Sequence, residues 1–292
     1  MKRASVRDLQ VAYTEQGEGE RPFVLVHGYS GCRQDFDPVL PELAELGRTV
    51  VPDLRGHGQT SRAQDVTRYS LDGLVEDLRA FLDALKIKRC DLLGHSMGGM
   101  VTLRFALAHP ERLSSLVLMN TTPRGLDDVD RESFARAWAI ARSAGMATLQ
   151  RALQSHLASD PDRAPSDQRC EAEWGERYWL HHQRRFHSMD PEAYARLGPA
   201  MLDPVPVTDR LGEIDLPTLV IVGAEDAPFL AAADLLEQGI PGAVRVTLPD
   251  AAHHPQRENS AGWLAAVSDH LARARGLTAG RETSARASRG SP

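Results

Sequence analysis

A serine flanked by glycines is the first feature of this chain that could do chemistry. Residues 94–98 read Gly-His-Ser-Met-Gly, which fits the pattern G-x-S-x-G with Ser96 at its centre. The pattern follows an apolar run that predicts a buried strand, and it precedes a run that predicts a helix. A sharp turn between a strand and a helix holds the serine in a strained conformation, and glycines on either side remove side chains that would collide. We therefore predict that Ser96 is a nucleophile that attacks a carbonyl carbon.

A serine hydroxyl needs a general base at neutral pH, and the chain offers 11 histidines. His253 and His254 follow the last predicted strand, at the end of a parallel sheet where loops converge on ligands. His27 and His95 also lie near strand ends. The first closes a strand directly before a glycine and the second lies inside the turn around Ser96, so we predict structural roles for both. The expected base is either His253 or His254.

A carboxylate must orient the imidazole ring and stabilise its protonated form. Asp226 follows the fifth predicted strand, so it reaches the same edge of the sheet as Ser96. The chain order of serine, aspartate and histidine matches the order found on folds that carry this nucleophile turn. Glu225 and Asp250 are competing carboxylates, but Asp250 lies only three residues before His253, which makes orientation of that ring awkward. The predicted acid is Asp226.

Two backbone N–H groups are predicted to stabilise the oxyanion that forms during the attack. One belongs to Met97, the residue after the nucleophile, which lies in the first turn of the predicted helix. The other is expected in the loop after an earlier strand, where Tyr29 is the candidate. The alternative for this second segment is a simple turn that ends a strand.

Strand patterns alternate with helix patterns along most of the chain. A helix is predicted from its N-cap Ser70 through Leu85 by apolar residues at helical spacing, and another after Gly94 that ends at His109. Six short apolar runs are typical of strands buried on both faces, and the last run alternates more, as a strand near a sheet edge does. This alternation predicts an α/β fold with a mostly parallel sheet and helices on both faces. The six runs are residues 22–27, 48–54, 90–93, 116–119, 218–222 and 244–248.

The alternation stops between residues 123 and 207, which contain no strand run and are rich in Ala, Arg, Leu, Gln and Glu. We predict a helical cap inserted into a core of residues 1–122 and 208–275. Residues 276–292 have almost no apolar content, which predicts a disordered tail. Aromatic side chains of the insertion could line a substrate pocket or form the core of the cap. They are Trp138, Trp174, Tyr178, Trp179 and Phe186.

Composition excludes several classes of function. The net charge of −6 argues against a nucleic-acid partner, whose phosphates it would repel. No apolar run approaches the roughly 20 residues that span a bilayer, so no membrane partner is expected. No apolar segment follows the basic N-terminus as in a signal peptide, and three widely spaced cysteines fit free thiols in a reducing cytoplasm.

Three histidines of the insertion, His181, His182 and His187, raise the question of a metal site. They lack cysteine or acidic partners at ligand spacing, so a polar helix face is the expected explanation. We therefore expect that the protein needs neither a metal nor a cofactor. The expected partner is a small-molecule substrate. The sequence does not indicate an oligomeric state.

Five segments carry a resemblance to a known family: His-Gly-Tyr-Ser-Gly at 27–31, Asp-Leu-Arg-Gly-His-Gly at 53–58, Gly-His-Ser-Met-Gly-Gly at 94–99, Gly-Ala-Glu-Asp at 223–226 and Ala-His at 252–253. In order and spacing they resemble the α/β-hydrolase superfamily, over about residues 9–275. The resemblance implies that fold, with a cap that varies freely. It also chooses between the two histidines, because the family's base lies five residues before an acidic residue, as His253 lies before Glu258.

The expected reaction is acyl transfer to water, from an ester, lactone or thioester. The segment around Ser96 is similar to those of small bacterial esterases and lactonases, of carbon–carbon bond hydrolases and of the menaquinone-pathway synthase. A second hypothesis is therefore carbon–carbon cleavage or elimination by the same triad, on anionic substrates that Arg124, Arg184 or Arg185 could bind. A third is a binding protein without turnover. Epoxide hydrolases and haloalkane dehalogenases carry Asp in place of the serine, so their chemistries are not expected.

Overall fold

The computed structural model describes residues 1–63, 65–126, 129–161 and 163–277, and a single sheet of eight strands runs through these residues. The strands are β1 (Lys2–Val6), β2 (Leu9–Gln16), β3 (Phe23–Val26), β4 (Thr49–Pro52), β5 (Cys90–His95), β6 (Leu113–Met119), β7 (Thr218–Gly223) and β8 (Val244–Leu248). Their spatial order is β1-β2-β4-β3-β5-β6-β7-β8. β2 is antiparallel to both of its neighbours, and every pair from β4 to β8 is parallel. The mostly parallel sheet is therefore confirmed.

The six predicted strands correspond to β3–β8, and β8 lies at the edge of the sheet as its alternating pattern indicates. The sequence did not predict β1 and β2. β1 has one buried residue, Val6, and in β2 the exposed Gln10 interrupts the buried ones, so neither has the continuous apolar run of the central strands. They form an antiparallel hairpin at the opposite edge, where one face of a strand can contact water.

The described residues also form eleven α-helices, and both predicted helices are confirmed. Ser70 is the N-cap of the first, where its side chain accepts a hydrogen bond from the Gly73 backbone N–H, and the second ends before His109. The helices are α1 (Leu40–Leu46), α2 (Leu71–Ala84), α3 (Met97–Ala108), α4 (Arg131–Ala144), α5 (Met146–Ser159), α6 (Pro165–Trp174), α7 (Glu176–His187), α8 (Pro191–Leu202), α9 (Ala227–Gly239), α10 (Pro255–Glu258) and α11 (Ser260–Ala274).

Helices cover both faces of the sheet. Side chains of α2, α3 and α9 share one apolar cluster with Val24 and Leu92, whereas those of α1 and α11 share another with Leu25 and Leu93. Neighbouring strand residues thus point into different clusters, as the pleat of a strand requires. Each fully buried Leu or Val stabilises the fold by about 1.5–3 kcal/mol, so the central strands form a rigid support for the loops at their ends.

The helices between β6 and β7 are α4–α8, and we refer to them as the cap helices. The division into a core of residues 1–122 and 208–275 and a cap of residues 123–207 stays a prediction. Of the predicted tail, Gly276 and Leu277 are hydrogen-bonded to the end of α11, and the rest lies outside the described residues. In the described part of the chain, no helix is both long and apolar enough to cross a membrane. Cys32, Cys90 and Cys170 are buried and unpaired.

Candidate active site

Ser96 lies in the sharp turn between the end of β5 and the start of α3. Its φ is 55° and its ψ is −121°, a conformation that costs a non-glycine residue on the order of 1–3 kcal/mol. Surrounding hydrogen bonds hold it there, because its N–H donates to the Met119 carbonyl at 2.9 Å and its carbonyl accepts from Thr121 Oγ1 at 2.7 Å. A Cβ on Gly98 would lie 2.4 Å from the His27 carbonyl oxygen, so only glycine fits there. The turn therefore has the geometry that the sequence predicts.

In the predicted triad, the side chain of His253 lies within hydrogen-bond distance of both Ser96 and Asp226. His253 Nε2 is 3.1 Å from Ser96 Oγ, and His253 Nδ1 is 2.8 Å from Asp226 Oδ2. Because Nδ1 must carry the proton that it donates to the carboxylate, Nε2 can accept the serine proton. The neighbouring His254 instead faces Arg185, whose Nη1 lies 3.5 Å from its Nε2.

The two competing carboxylates have other partners. Glu225 Oε2 accepts a hydrogen bond from the backbone N–H of Ser166 at 2.7 Å, near the start of α6. The side chain of Asp250 is 75% exposed and its nearest cation is Arg169, at 3.4 Å. Neither carboxylate contacts the ring of His253, so the structure places only Asp226 beside that ring.

The charges around His253 prepare it to accept a proton. Burial lowers its pKa, but the Asp226 carboxylate raises it by charge and by the hydrogen bond, with a further contribution from Glu258. The net effect is a pKa above the ordinary value of 6.5. Burial has the opposite effect on Asp226 and raises the pKa of its carboxyl group, but His253 and Asn120 lower that pKa more, so the carboxyl stays ionised. An ionised acid and a base that gains stability on protonation are what proton transfer from a serine requires.

Two residues that the sequence analysis left without a role support these side chains. Asn120, directly after β6, has a φ of 45°, and its Nδ2 donates to Asp226 Oδ2 at 2.5 Å and to the Ala252 carbonyl at 3.0 Å. Glu258 Oε2 accepts from the backbone N–H groups of Ala252 at 2.6 Å and His254 at 3.2 Å. The sequence does hold a signal for Asn120, because it follows a buried strand at the edge where the other loops meet.

The two histidines with predicted structural roles stabilise the loops of the site. His95 Nε2 donates to the carbonyl of His253 at 2.7 Å, and burial lowers the pKa of His95 to about 3, so it stays neutral. His27 Nδ1 donates to the Gly28 carbonyl at 2.9 Å and its Nε2 accepts from the Leu54 N–H at 3.0 Å. Both rings therefore bind backbone atoms rather than the serine.

The predicted oxyanion donors lie on two sides of Ser96. Met97 opens α3, and Tyr29 follows Gly28, whose backbone passes so near the serine that a Cβ there would lie 3.0 Å from the serine Cβ. Within the described residues, neither the Met97 nor the Tyr29 backbone N–H has a hydrogen-bond acceptor. Neither N–H group is thus used within the described residues, and that of Met97 has the positive end of the helix dipole behind it.

A cavity of about 240 Å³ lies over Ser96, which is 8% exposed. The cap helices form much of its wall through Phe134, Arg185 and Met201. One part of the wall is apolar and another is polar, so the cavity can hold a ligand with two unlike ends. The apolar residues are Leu126, Phe134, Met201 and Phe229, and the polar ones include Ser30, Asp35, Arg185 and His254.

The aromatic side chains predicted as pocket candidates are not in this wall. Trp138 packs behind it, with its Nε1 3.2 Å from Tyr29 Oη. Tyr178 is fully buried, 5.2 Å from the Arg163 guanidinium, and Trp179 lies 5.8 Å from the same group. Trp174 lies 5.7 Å from the guanidinium of Arg257 and borders a separate surface groove. The pocket prediction is corrected because helical spacing does not reveal which face turns toward the serine. Trp174, Tyr178 and Trp179 lie against arginine guanidinium groups instead.

Of the three arginines considered for an anionic substrate, Arg185 borders the cavity, and Arg124 and Arg184 line other surfaces. Arg185 Nε donates to the Ser30 carbonyl at 3.2 Å and lies 3.9 Å from Asp35 Oδ1. Burial raises the pKa of Asp35, but Arg185 and His181 hold it well below its usual range. The polar part of the cavity therefore contains a guanidinium beside an ionised carboxylate.

Two of the three cap histidines considered as metal ligands, His181 and His182, contact other side chains of the protein. His181 Nε2 lies 3.0 Å from Asp35 Oδ1, and the ring of His182 packs 4.6 Å from that of Tyr178. In the part of the chain that the structure describes, no group of three or more His, Cys, Asp or Glu side chains could hold a metal ion.

Comparison with known proteins gives a consistent result. A family model described as alpha/beta hydrolase fold matches residues 21–260. A 2-hydroxy-6-oxo-2,4-heptadienoate hydrolase of Pseudomonas putida is 30% identical over 86% of this chain and 89% of that protein. The enol-lactonase of Burkholderia xenovorans LB400 has a TM-score of 0.79 and 27% identity over 92% of this chain and 99% of its own. A thermophilic esterase of Thermogutta terrifontis also has a TM-score of 0.79, with 26% identity over 94% and 98%.

Proposed function

The chain belongs to the α/β-hydrolase fold family of enzymes, and from this premise we propose that it is a serine hydrolase that cleaves a small carboxylic ester, lactone or thioester. One observation carries the proposal. His253 lies 3.1 Å from Ser96 Oγ on one side and 2.8 Å from Asp226 on the other. A serine with a base in reach, and a base oriented by a carboxylate, is the arrangement that activates a hydroxyl as a nucleophile.

In the first half of the proposed reaction, Ser96 Oγ attacks the carbonyl carbon of the substrate and gives its proton to His253 Nε2. The carbonyl oxygen becomes an oxyanion, which the N–H groups of Tyr29 and Met97 stabilise. When the carbonyl re-forms, the bond to the leaving alcohol or thiol breaks and that group takes the proton from His253. The products of this half are an acyl group on Ser96 and an alcohol or thiol, which leaves in the case of an ester or thioester and stays attached to the acyl group in the case of a lactone.

In the second half, water replaces the alcohol. His253 takes a proton from the water as its oxygen attacks the acyl carbon, and the same two N–H groups stabilise the second oxyanion. The bond to Ser96 Oγ then breaks, the serine regains its proton from His253, and the carboxylic acid leaves. All of these steps use groups of the chain, so the proposed reaction requires neither a metal nor a cofactor.

The cavity supports a small substrate. Its volume of about 240 Å³ is below the roughly 300–1,000 Å³ of ordinary ligand pockets. The apolar wall suits a short alkyl or aryl group, whereas the wall around Arg185 suits a polar one. The enol-lactonase and the esterase that the chain resembles act on substrates of the proposed classes, as their names state.

Two assays on the full chain test the proposal. The first measures turnover of p-nitrophenyl esters with acyl chains of two to eight carbons and of a panel of lactones, for wild type and Ser96→Ala. The second labels both proteins with a fluorophosphonate and locates the label by peptide mass. We expect hydrolysis of short esters or lactones and a label on Ser96, both absent from the variant. Undiminished labelling or turnover in Ser96→Ala overturns the assignment.

A second candidate is carbon–carbon bond hydrolysis, and Arg185 is the observation that favours it. Its guanidinium borders the cavity, and a relative that is 30% identical is a hydrolase of a 2-hydroxy-6-oxo-dienoate, a substrate that carries a carboxylate. The test compares turnover of that dienoate with turnover of p-nitrophenyl acetate, in wild type and Arg185→Gln. A faster dienoate reaction that Arg185→Gln selectively impairs favours this candidate. If every substrate fails while a small molecule binds tightly, the chain is a binding protein instead.

A further inference from the structure

The side chain of Tyr29 extends from the loop beside Ser96 into the cap. Its Oη donates to the Tyr194 carbonyl in α8 at 2.5 Å and accepts from Trp138 Nε1 in α4 at 3.2 Å. Its ring stacks on the ring of Tyr194, with centroids 4.7 Å apart and planes 21° apart. One side chain therefore makes three contacts with two cap helices.

The packing of α4 against α8 leaves room for the contact between Trp138 and Tyr29. A Cβ on Gly198 in α8 would lie 2.2 Å from Trp138 Nε1, so the indole reaches the phenol only because residue 198 is glycine. Burial raises the pKa of the Tyr29 phenol well above its usual value, and the group stays a donor throughout the working pH range. The three contacts are thus present whenever both helices are seated.

The backbone of Tyr29 lies in the core, beside Ser96, whereas its side chain contacts the cap helices. Gly28 holds the chain against Ser96, and the Tyr29 N–H is free of any acceptor among the described residues. Only two bonds separate this N–H from the Cβ of the same residue, so the position of the ring constrains the direction of the N–H. An oxyanion donor works at about 2.7–3.1 Å, and a misplacement of about 1 Å can cost 10²-fold in rate.

We propose that Tyr29 is a positioning residue through its side chain: its contacts with α4 and α8 hold its own backbone N–H in place for the oxyanion. This inference rests on the proposed function, because it needs that N–H to act as an oxyanion donor. Stabilisation of the oxyanion then depends on the packing of α4 and α8 against the core.

The chain offers a matched control in Tyr69. Its Oη donates to Asp190 Oδ2 at 2.9 Å, at the N-cap of α8, so it also joins the core to that helix through one phenol hydrogen bond. Tyr69 precedes α2 and does not line the cavity over Ser96. Tyr69→Phe therefore weakens the cap–core contact without touching the oxyanion loop, whereas Tyr29→Phe does both.

The experiment compares wild type, Tyr29→Phe and Tyr69→Phe as full chains. It measures kcat and KM for p-nitrophenyl acetate and the inhibition constant of phenylboronic acid, whose tetrahedral adduct with a serine carries an oxygen where the oxyanion forms. We expect Tyr29→Phe to lower kcat by about 10- to 100-fold and boronate affinity by a similar factor, because a displaced donor acts mainly on the transition state. We expect KM of Tyr29→Phe to change by less than about threefold. In Tyr69→Phe, we expect kcat, KM and the inhibition constant each to change by less than about threefold.

Equal losses of kcat and boronate affinity in the two variants overturn the inference, because they indicate only a loosened cap. A Tyr29→Phe variant with wild-type values overturns it as well. Ser96→Ala distinguishes a failure of the inference about Tyr29 from a failure of the proposed function. Turnover that survives in Ser96→Ala contradicts the assignment of the triad itself. If Tyr29→Phe does not fold, as judged by circular dichroism, Trp138→Phe decides by the same comparison with Tyr69→Phe, because it removes only the indole donor to the phenol.

Discussion

His95 Nε2 donates a hydrogen bond of 2.7 Å to the carbonyl oxygen of His253, so the residue before the nucleophile holds the main chain of the base. Their rings lie 4.9 Å apart. The distance from base to serine thus depends on one buried side chain that belongs to the turn around Ser96 itself.

This contact predicts that His95 sets the position of His253. His95→Ala removes the donor, and we expect kcat/KM for a p-nitrophenyl ester to fall by about 10- to 100-fold because the base shifts away from the serine. His95→Gln retains an N–H of similar reach and is expected to recover part of the loss. Steady-state kinetics on the three proteins checks this, and an unchanged rate in His95→Ala contradicts it.

The pH profile follows from the raised pKa of His253. Only the neutral ring can accept the serine proton, so kcat/KM is full at high pH and falls as pH drops through the pKa, with a midpoint above 6.5. Burial lowers the pKa of His95 to about 3 and that of His254 well below 6.5, so neither adds a step near neutral pH. Glu258→Gln removes a charge that raises the pKa of His253, and its midpoint is expected at lower pH. A rate that stays flat down to pH 4 rules out this role for His253.

Adjacent carboxylates give a paired test of the acid. Asp226→Asn leaves His253 without its charged partner and favours the wrong tautomer, so we expect kcat to fall by about 10³- to 10⁴-fold. Glu225→Gln keeps an oxygen that can accept from the Ser166 N–H, and its kcat is expected within about threefold of wild type. Similar losses in the two variants would show that the acid has been misassigned.

Asn120 is predicted to hold the acid in place. Asn120→Ala leaves Asp226 Oδ2 and the Ala252 carbonyl without their amide donor, which is expected to cost about 1–3 kcal/mol in the free energy of unfolding and about tenfold in kcat. Asn120→Asp places a second carboxyl group beside Asp226 Oδ2, and two carboxyl groups in such contact share one proton, so the new group can donate to Asp226 as the amide did. We therefore expect Asn120→Asp to recover part of the kcat lost in Asn120→Ala. Urea unfolding and steady-state kinetics measure both effects, and a wild-type kcat in Asn120→Ala argues against this role for Asn120.

The turn around Ser96 tolerates no side chain at position 98. A Cβ there would lie 2.4 Å from the His27 carbonyl and 2.5 Å from that of Val26, so Gly98→Ala is expected to destabilise the protein by about 1–3 kcal/mol or more. Gly212→Ala is the matched control, since nothing lies within 4 Å of a Cβ at that position. Urea unfolding compares the two, and equal stabilities would mean that the turn has room to relax.

Much of the site could be predicted from sequence, because its signals are local. The buried strand, the tight turn and the start of the helix around Ser96 each have a local sequence pattern. The order of Asp226 and His253 after Ser96 is read directly from the sequence. For the same reason, β8 at the edge was predictable as an alternating run, and the five strands β3–β7 were predictable as continuous apolar runs. The hairpin of β1 and β2 was not, because edge strands with one wet face lack such a run.

The tertiary structure alone decided which side chains meet across the cap. Trp138, Trp174, Tyr178 and Trp179 occur at helical spacing, yet none borders the cavity over the serine. Asn120 reaches Asp226 over 106 residues, and Tyr29 reaches Tyr194 over 165. Periodicity along the chain shows which residues share one face of a helix, but not which other element of the fold that face is directed toward. That direction is set by the packing of whole elements against one another, which no local pattern encodes.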